Sequence, residues 1–124
     1  METKRIQNFT DLIAWQEAHA LVLVVCKETS SFPDIEKFVL VSQMRRSAIS
    51  ITSNIAEGFG RGGAREKAQF YSIARGSLLE LQSQLYIARD LSYISKEKCV
   101  ELDKKIYLVT KLLAGLVRSS MKRS

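Results

Sequence analysis

Apolar residues recur three and four positions apart in four separate stretches of the chain. They fall at Leu12, Trp15, Ala18, Val22 and Val25 in the first stretch, and at Met44, Ala48, Ile51 and Ile55 in the second. Phe70, Ile73, Ser77, Leu81 and Leu85 carry the period through a third, and Leu102, Ile106, Val109, Leu113 and Leu116 through a fourth. This spacing places each set on one face of an α-helix. The only proline, Pro33, makes the first break, and glycines at positions 58, 60, 62 and 63 make the second. The third lies at residues 92–95, where Ser95 is suited to cap a following helix.

The pattern predicts helices over about residues 10–29, 35–57, 64–92 and 96–121. Short hinges make successive helices antiparallel neighbours, so the expected fold is all-α, an antiparallel up-down-up-down four-helix bundle. It forms a single domain over residues 1–124, with a short polar N-terminal arm (1–9) and a basic C-terminal tail (118–124). Residues 49–55 are β-branched at Ile49, Ile51, Thr52 and Ile55 and partly alternate like a strand, but no second strand exists to pair with them. Residues 21–25 and 38–41 are apolar all round, more than one bundle core needs, which predicts self-association.

Composition narrows the class. With 46% hydrophobic and 26% charged residues, the chain is a folded globular protein rather than a disordered one. No apolar stretch is long enough to span a membrane, and residues 1–10 lack the apolar centre of a secretion signal. Cys26 and Cys99 stand far apart without a Cys-x-x-Cys pair, as reduced thiols of a cytoplasmic protein do.

No reaction chemistry is apparent. Gly58, Gly60 and Gly63 match a dinucleotide fingerprint by letter, but a helix precedes them where the fingerprint needs a strand. Glu57 and Glu80 lack the Glu-x-x-His partners of a carboxylate-bridged metal site, and the one histidine, His19, has no carboxylate three residues before it. The expectation is a non-enzymatic protein with no metal and no cofactor. Asn54 and Ser77 are instead expected to join a polar network in which Glu57 or Glu80 pairs with Arg46 or Arg75. Gly76 inside the third helix predicts a close backbone approach.

The net charge of +6 permits a polyanionic partner, and the topology sorts it. Alternating helices bring the N-terminus, the glycine hinge and the C-terminus to one pole. Lys4, Arg5, Arg61, Arg65, Lys67, Arg118, Lys122 and Arg123 gather there against Glu2, Asp11, Glu57 and Glu66. At the opposite pole Lys27, Lys37, Arg89, Lys96 and Lys98 are outnumbered by Glu28, Asp34, Glu36, Asp90, Glu97, Glu101 and Asp103. The basic pole, with the N-terminus of the third helix beside it, is the expected site for RNA or DNA, read by charge and shape.

An ordered set of residues resembles one known family. It comprises Phe9, Leu12, Trp15, Gln16 and Ala18, then Phe32 and Pro33 with Glu36 and Leu40, and Gln43, Met44, Arg45 and Arg46 with Ser50. Ser53, Asn54, Ile55, Ala56, Glu57, Gly58 and Arg61 follow, then Phe70, Ala74, Arg75, Gly76, Ser77, Glu80 and Leu81. Through nearly its whole length the chain resembles the four-helix-bundle proteins encoded in 23S ribosomal RNA intervening sequences. It departs from them at Cys26, where an aromatic is common, and at Thr52, where proline is common. The resemblance implies a cyclic homo-oligomer, a pentamer, without established enzymatic activity. The chain is also similar in plan to the accessory variability determinant proteins of diversity-generating retroelements, basic pentamers that bind nucleic acid and associate with a reverse transcriptase. Two functions therefore stand side by side: nucleic-acid binding, and a scaffold that docks a partner enzyme such as a reverse transcriptase.

Overall fold

The computed structural model describes residues 5–123. Its four long helices are α1 (Ile13–Thr29), α2 (Ser42–Phe59), α3 (Ala64–Asp90) and α4 (Lys96–Arg123). α1 packs on α2 and α4, and α3 packs on the same two, so the helices stand in sequence order around a square antiparallel bundle. The β-branched run at 49–55 lies wholly inside α2.

A 3-10 turn at Phe9–Asp11 precedes α1 and is closed by a reciprocal cap. The Asn8 side chain accepts the Thr10 N–H at 3.0 Å, and Asp11 Oδ2 accepts the Asn8 N–H at 3.1 Å. Beyond Pro33 the chain makes a 3-10 turn at Asp34–Glu36 and a π-helical turn at Lys37–Val41 before α2 begins. α3 ends on Ser92 at φ 64, with the Tyr93 N–H donated to Ala88 O at 2.9 Å and the Ser92 N–H to Arg89 O at 3.0 Å. This is a Schellman ending with serine where glycine is usual. Ser95 caps α4, its Oγ accepting the Lys98 N–H at 3.0 Å.

The core is built from Leu21 and Val25 of α1, Met44, Ile51 and Ile55 of α2, Leu78, Leu81 and Leu85 of α3, and Leu102, Val109 and Leu113 of α4. The expected stripe of α3 holds at Ser77, Leu81 and Leu85, which are buried, and departs at its N-terminal end. Ile73 is 52% exposed, and Tyr71, Ala74 and Leu78 take the inward places beside Leu81 and Leu85. Successive steps of four residues drift about 40° each around a helix, so the series 73, 77, 81, 85 could not stay on one face. The close helix approach also lies elsewhere. A Cβ built at Gly58 would stand 2.5 Å from the Tyr71 ring, whereas one at Gly76 would meet nothing within 4 Å. α2 therefore rests on α3 at Gly58, not at Gly76.

Both all-apolar segments leave apolar surface outside the core. Phe38 is 85%, Ile35 82% and Val39 60% exposed around the turn into α2, and Leu23 on α1 is 58% exposed.

Candidate nucleic-acid interface

The N-terminal arm, the glycine hinge and the end of α4 adjoin one cleft of about 620 Å³, whose wall includes Ile6, Phe59, Arg61, Gly63, Lys67 and Ser119. The cations at this pole are not equivalent. Lys67 Nζ donates to Phe59 O at 2.7 Å and Gly58 O at 3.2 Å, which ties it to the C-terminal carbonyls of α2. Arg61 forms an ion pair with Glu57 at 2.9 Å and lies 4.5 Å from the centre of the Phe70 ring. Arg5, Arg65, Arg118 and Lys122 are exposed. Among the described residues none of these four has a carboxylate within 4.0 Å. Lys4 and the Arg123 side chain lie outside the described residues.

The hinge supplies no left-handed turn, since no glycine has positive φ. Gly63 is the N-cap of α3 and has no side chain to accept the first free N–H groups of the helix. Those donors face the same pole as Arg65. Glu66, in the first turn, occupies part of the favourable position for negative charge.

The expected polar network forms only in part. Ser77 Oγ donates to Ser50 Oγ at 2.8 Å, and Asn54 Nδ2 donates to Ser50 O at 2.8 Å and Ser50 Oγ at 3.1 Å. Asn54 and Ser77 therefore meet through Ser50. Arg46, Arg75 and Glu80 are exposed and make no ion pair among the described residues, and Glu57 turns to Arg61. Ser50 and Ser77 join α2 to α3 directly, while Arg46, Arg75 and Glu80 stand on exposed faces of those helices.

Three polar contacts were not foreseen. Arg45 reaches across to α1, its Nε donating to Thr29 Oγ1 at 3.0 Å and its Nη2 to Cys26 O at 3.1 Å. Its helical phase, on the flank of the Met44–Ala48 stripe where Arg46 points away from it, was the available signal. Asp103 accepts from Tyr86 Oη at 2.6 Å and Gln82 Nε2 at 2.9 Å, joining α3 to α4. The hydrogen bond to Asp103, together with burial, pushes the Tyr86 phenol above its ordinary value. Tyr93 Oη donates to Glu36 Oε2 at 2.8 Å across the opposite pole, and its phenol is likewise held up by that bond.

His19 is exposed and stacks on Trp15, ring centres 4.8 Å apart. Trp15 is half-buried and also meets the Phe9 ring edge-on at 5.3 Å. Among the described residues no three His, Cys, Asp or Glu side chains gather to hold a metal, and no helix is long and apolar enough to cross a membrane.

Four antiparallel helices with a cationic pole define a helical-bundle protein in which nothing indicates catalysis. The chain belongs to the 23S rRNA-intervening sequence protein family, whose model matches residues 10–115. It is similar in structure to a protein of unknown function from the S23 ribosomal protein family of Bacteroides thetaiotaomicron VPI-5482. That likeness has a TM-score of 0.78 at 19% identity and covers 86% of this chain and 96% of the other. No curated protein matches the chain.

Proposed function

We infer that the protein is a non-enzymatic, cytoplasmic homo-oligomer that binds RNA or DNA through its basic pole, following backbone charge and shape rather than base identity. The observation that carries this reading is the set of four exposed cations without carboxylate partners, Arg5, Arg65, Arg118 and Lys122, beside the uncapped start of α3. Lys67 and Arg61 contribute field rather than free hydrogen-bonding groups, because each already has a partner. Four phosphate contacts from one protomer would give a slope of log affinity against log salt of about −3 for a single strand. Fluorescence anisotropy with a labelled RNA across a salt series tests this. A flat response, or no loss in R65E/R118E, overturns it. The neutral variant R61Q should lose less than R65Q, since Arg61 already shares its guanidinium with Glu57.

Self-association is supported by the apolar surface at Ile35, Phe38 and Val39. Light scattering should return about five times the chain mass of 14.0 kDa for the pentamer that the family resemblance implies. A monomer would remove the ring and the added field of its basic ends. The same apolar surface, at the pole away from the free cations, favours the second reading, docking of a partner enzyme such as a reverse transcriptase. Recovery of one such enzyme in a pull-down after nuclease treatment, lost in F38S, would favour docking over nucleic-acid binding.

A further inference from the structure

A second cleft, of about 470 Å³, opens between α3 and α4. Leu113, Ala114 and Val117 give it an apolar wall, while Tyr71, Arg75 and Arg118 supply its polar groups. No carboxylate is among the described residues that line it. The bonds from Gln82 and Tyr86 to Asp103 fix the register of the two helices, which sets Ser72 level with Gly115. Side chains on a helix lean toward its N-terminus. In an antiparallel pair, Arg75 is therefore expected to lean toward the level of Ser72 and Arg118 toward that of Gly115, which brings both side chains to the one cleft they line. Arg118 does lean this way, its Nη2 lying 3.8 Å from where a Cβ at Gly115 would stand.

Tyr71 adds a hydroxyl to the wall of the cleft. It is only 2% exposed, lines this cleft, and its hydroxyl has no hydrogen-bond partner among the described residues. Burial pushes its pKa up, which keeps the proton in place for donation to an acceptor. Arg75 and Arg118 are likewise without an ion-pair partner among the described residues.

The geometry points to a binding site for a small amphipathic carboxylate, with its head group held by Arg75 and Arg118, a hydrogen bond from Tyr71, and its apolar body against Leu113, Ala114 and Val117. Guanidinium groups match a carboxylate by paired N–H donors, and open apolar clefts of this size suit small ligands. This site is separate from nucleic-acid binding even though Arg118 borders both, because its ligand is small and is measured without any polymer.

Calorimetric titration of the intact protein with octanoate tests the assignment, with octanol and acetate as controls lacking the charge or the apolar body. Octanoate should bind saturably at or below about 1 mM, with both controls at least tenfold weaker. R75Q and R118Q, at exposed positions, should each weaken octanoate about tenfold, and Y71F about threefold. Circular dichroism and the urea midpoint verify that each variant is folded. The proposal is overturned if octanoate fails to saturate, if octanol binds equally well, or if the folded R75Q/R118Q variant retains full affinity.

Discussion

The residue that sets the distance between α2 and α3 is Gly58, because Tyr71 fills the space where a side chain would stand. Alanine there gains about 1 kcal/mol of helix propensity but forces a buried aromatic aside, which commonly costs 1–3 kcal/mol, roughly, in a packed core. G58A should therefore lower the urea midpoint, and the fall should shrink when Tyr71 is also replaced by leucine. Gly76 presents the opposite case. Its open surroundings predict that G76A raises stability by about 0.5–1 kcal/mol through propensity alone. A loss instead would mean that a second copy packs over α3 at this point. Ser92 gives a third reading of the same physics. It holds φ 64, where a Cβ is strained, so S92G should stabilise the protein by about 1 kcal/mol, measured as a rise in the urea midpoint.

At the scale of elements, cations from neighbouring helices close two C-termini. Arg45 covers the last turn of α1 through Thr29 and Cys26, and Lys67 covers the last turn of α2 through Gly58 and Phe59. A hydrogen bond from a charged donor contributes about 1.5–3 kcal/mol. R45M should cost that order, and a double-mutant cycle with T29V should show coupling, since one bond joins the two side chains. These caps also mark how far the sequence could be read. Helix existence and order were legible because Leu, Ile and Met repeat at helical spacing between one proline and a glycine cluster. The inward face at the start of α3 was not, because Ile73 and Phe70 are as apolar as Tyr71 and Leu78, and composition alone does not say which apolar face turns inward. Arg45 and Arg46 are adjacent and identical in kind, yet one is a cap and the other is exposed. Their helical phase separates them, and the position of α1 decides what Arg45 meets. The candidate pole was legible as a cluster of cations, but the partners of Arg61 and Lys67 were not, because both depend on how the hinge folds back on α2 and α3.

For the whole molecule, three phenols tie stability to alkaline pH. Tyr86 and Tyr93 are held above 10.0 first by hydrogen bonds to Asp103 and Glu36, and Tyr71 by burial. In each case the folded state keeps the proton more firmly than the unfolded chain. Their stabilising contribution is therefore complete below the ordinary phenol value of 10.0 and is lost as pH rises through the higher folded values. The urea midpoint should hold up to about pH 9.5 and then fall, while phenolate absorbance of the folded protein lags behind that of the chain in denaturant. Tyr86 joins α3 to α4 and Tyr93 joins the turn after α3 to the turn before α2, so alkali loosens two sides of the bundle at once. Y86F should flatten the alkaline decline by removing one titrating group, and should also lower stability at neutral pH by about 1 kcal/mol, because Asp103 loses a donor. An alkaline slope unchanged in Y86F would place the pH-sensitive contact at Tyr71 or Tyr93 instead, and Y93F would then separate the hydrogen bond to Glu36 from the burial of Tyr71.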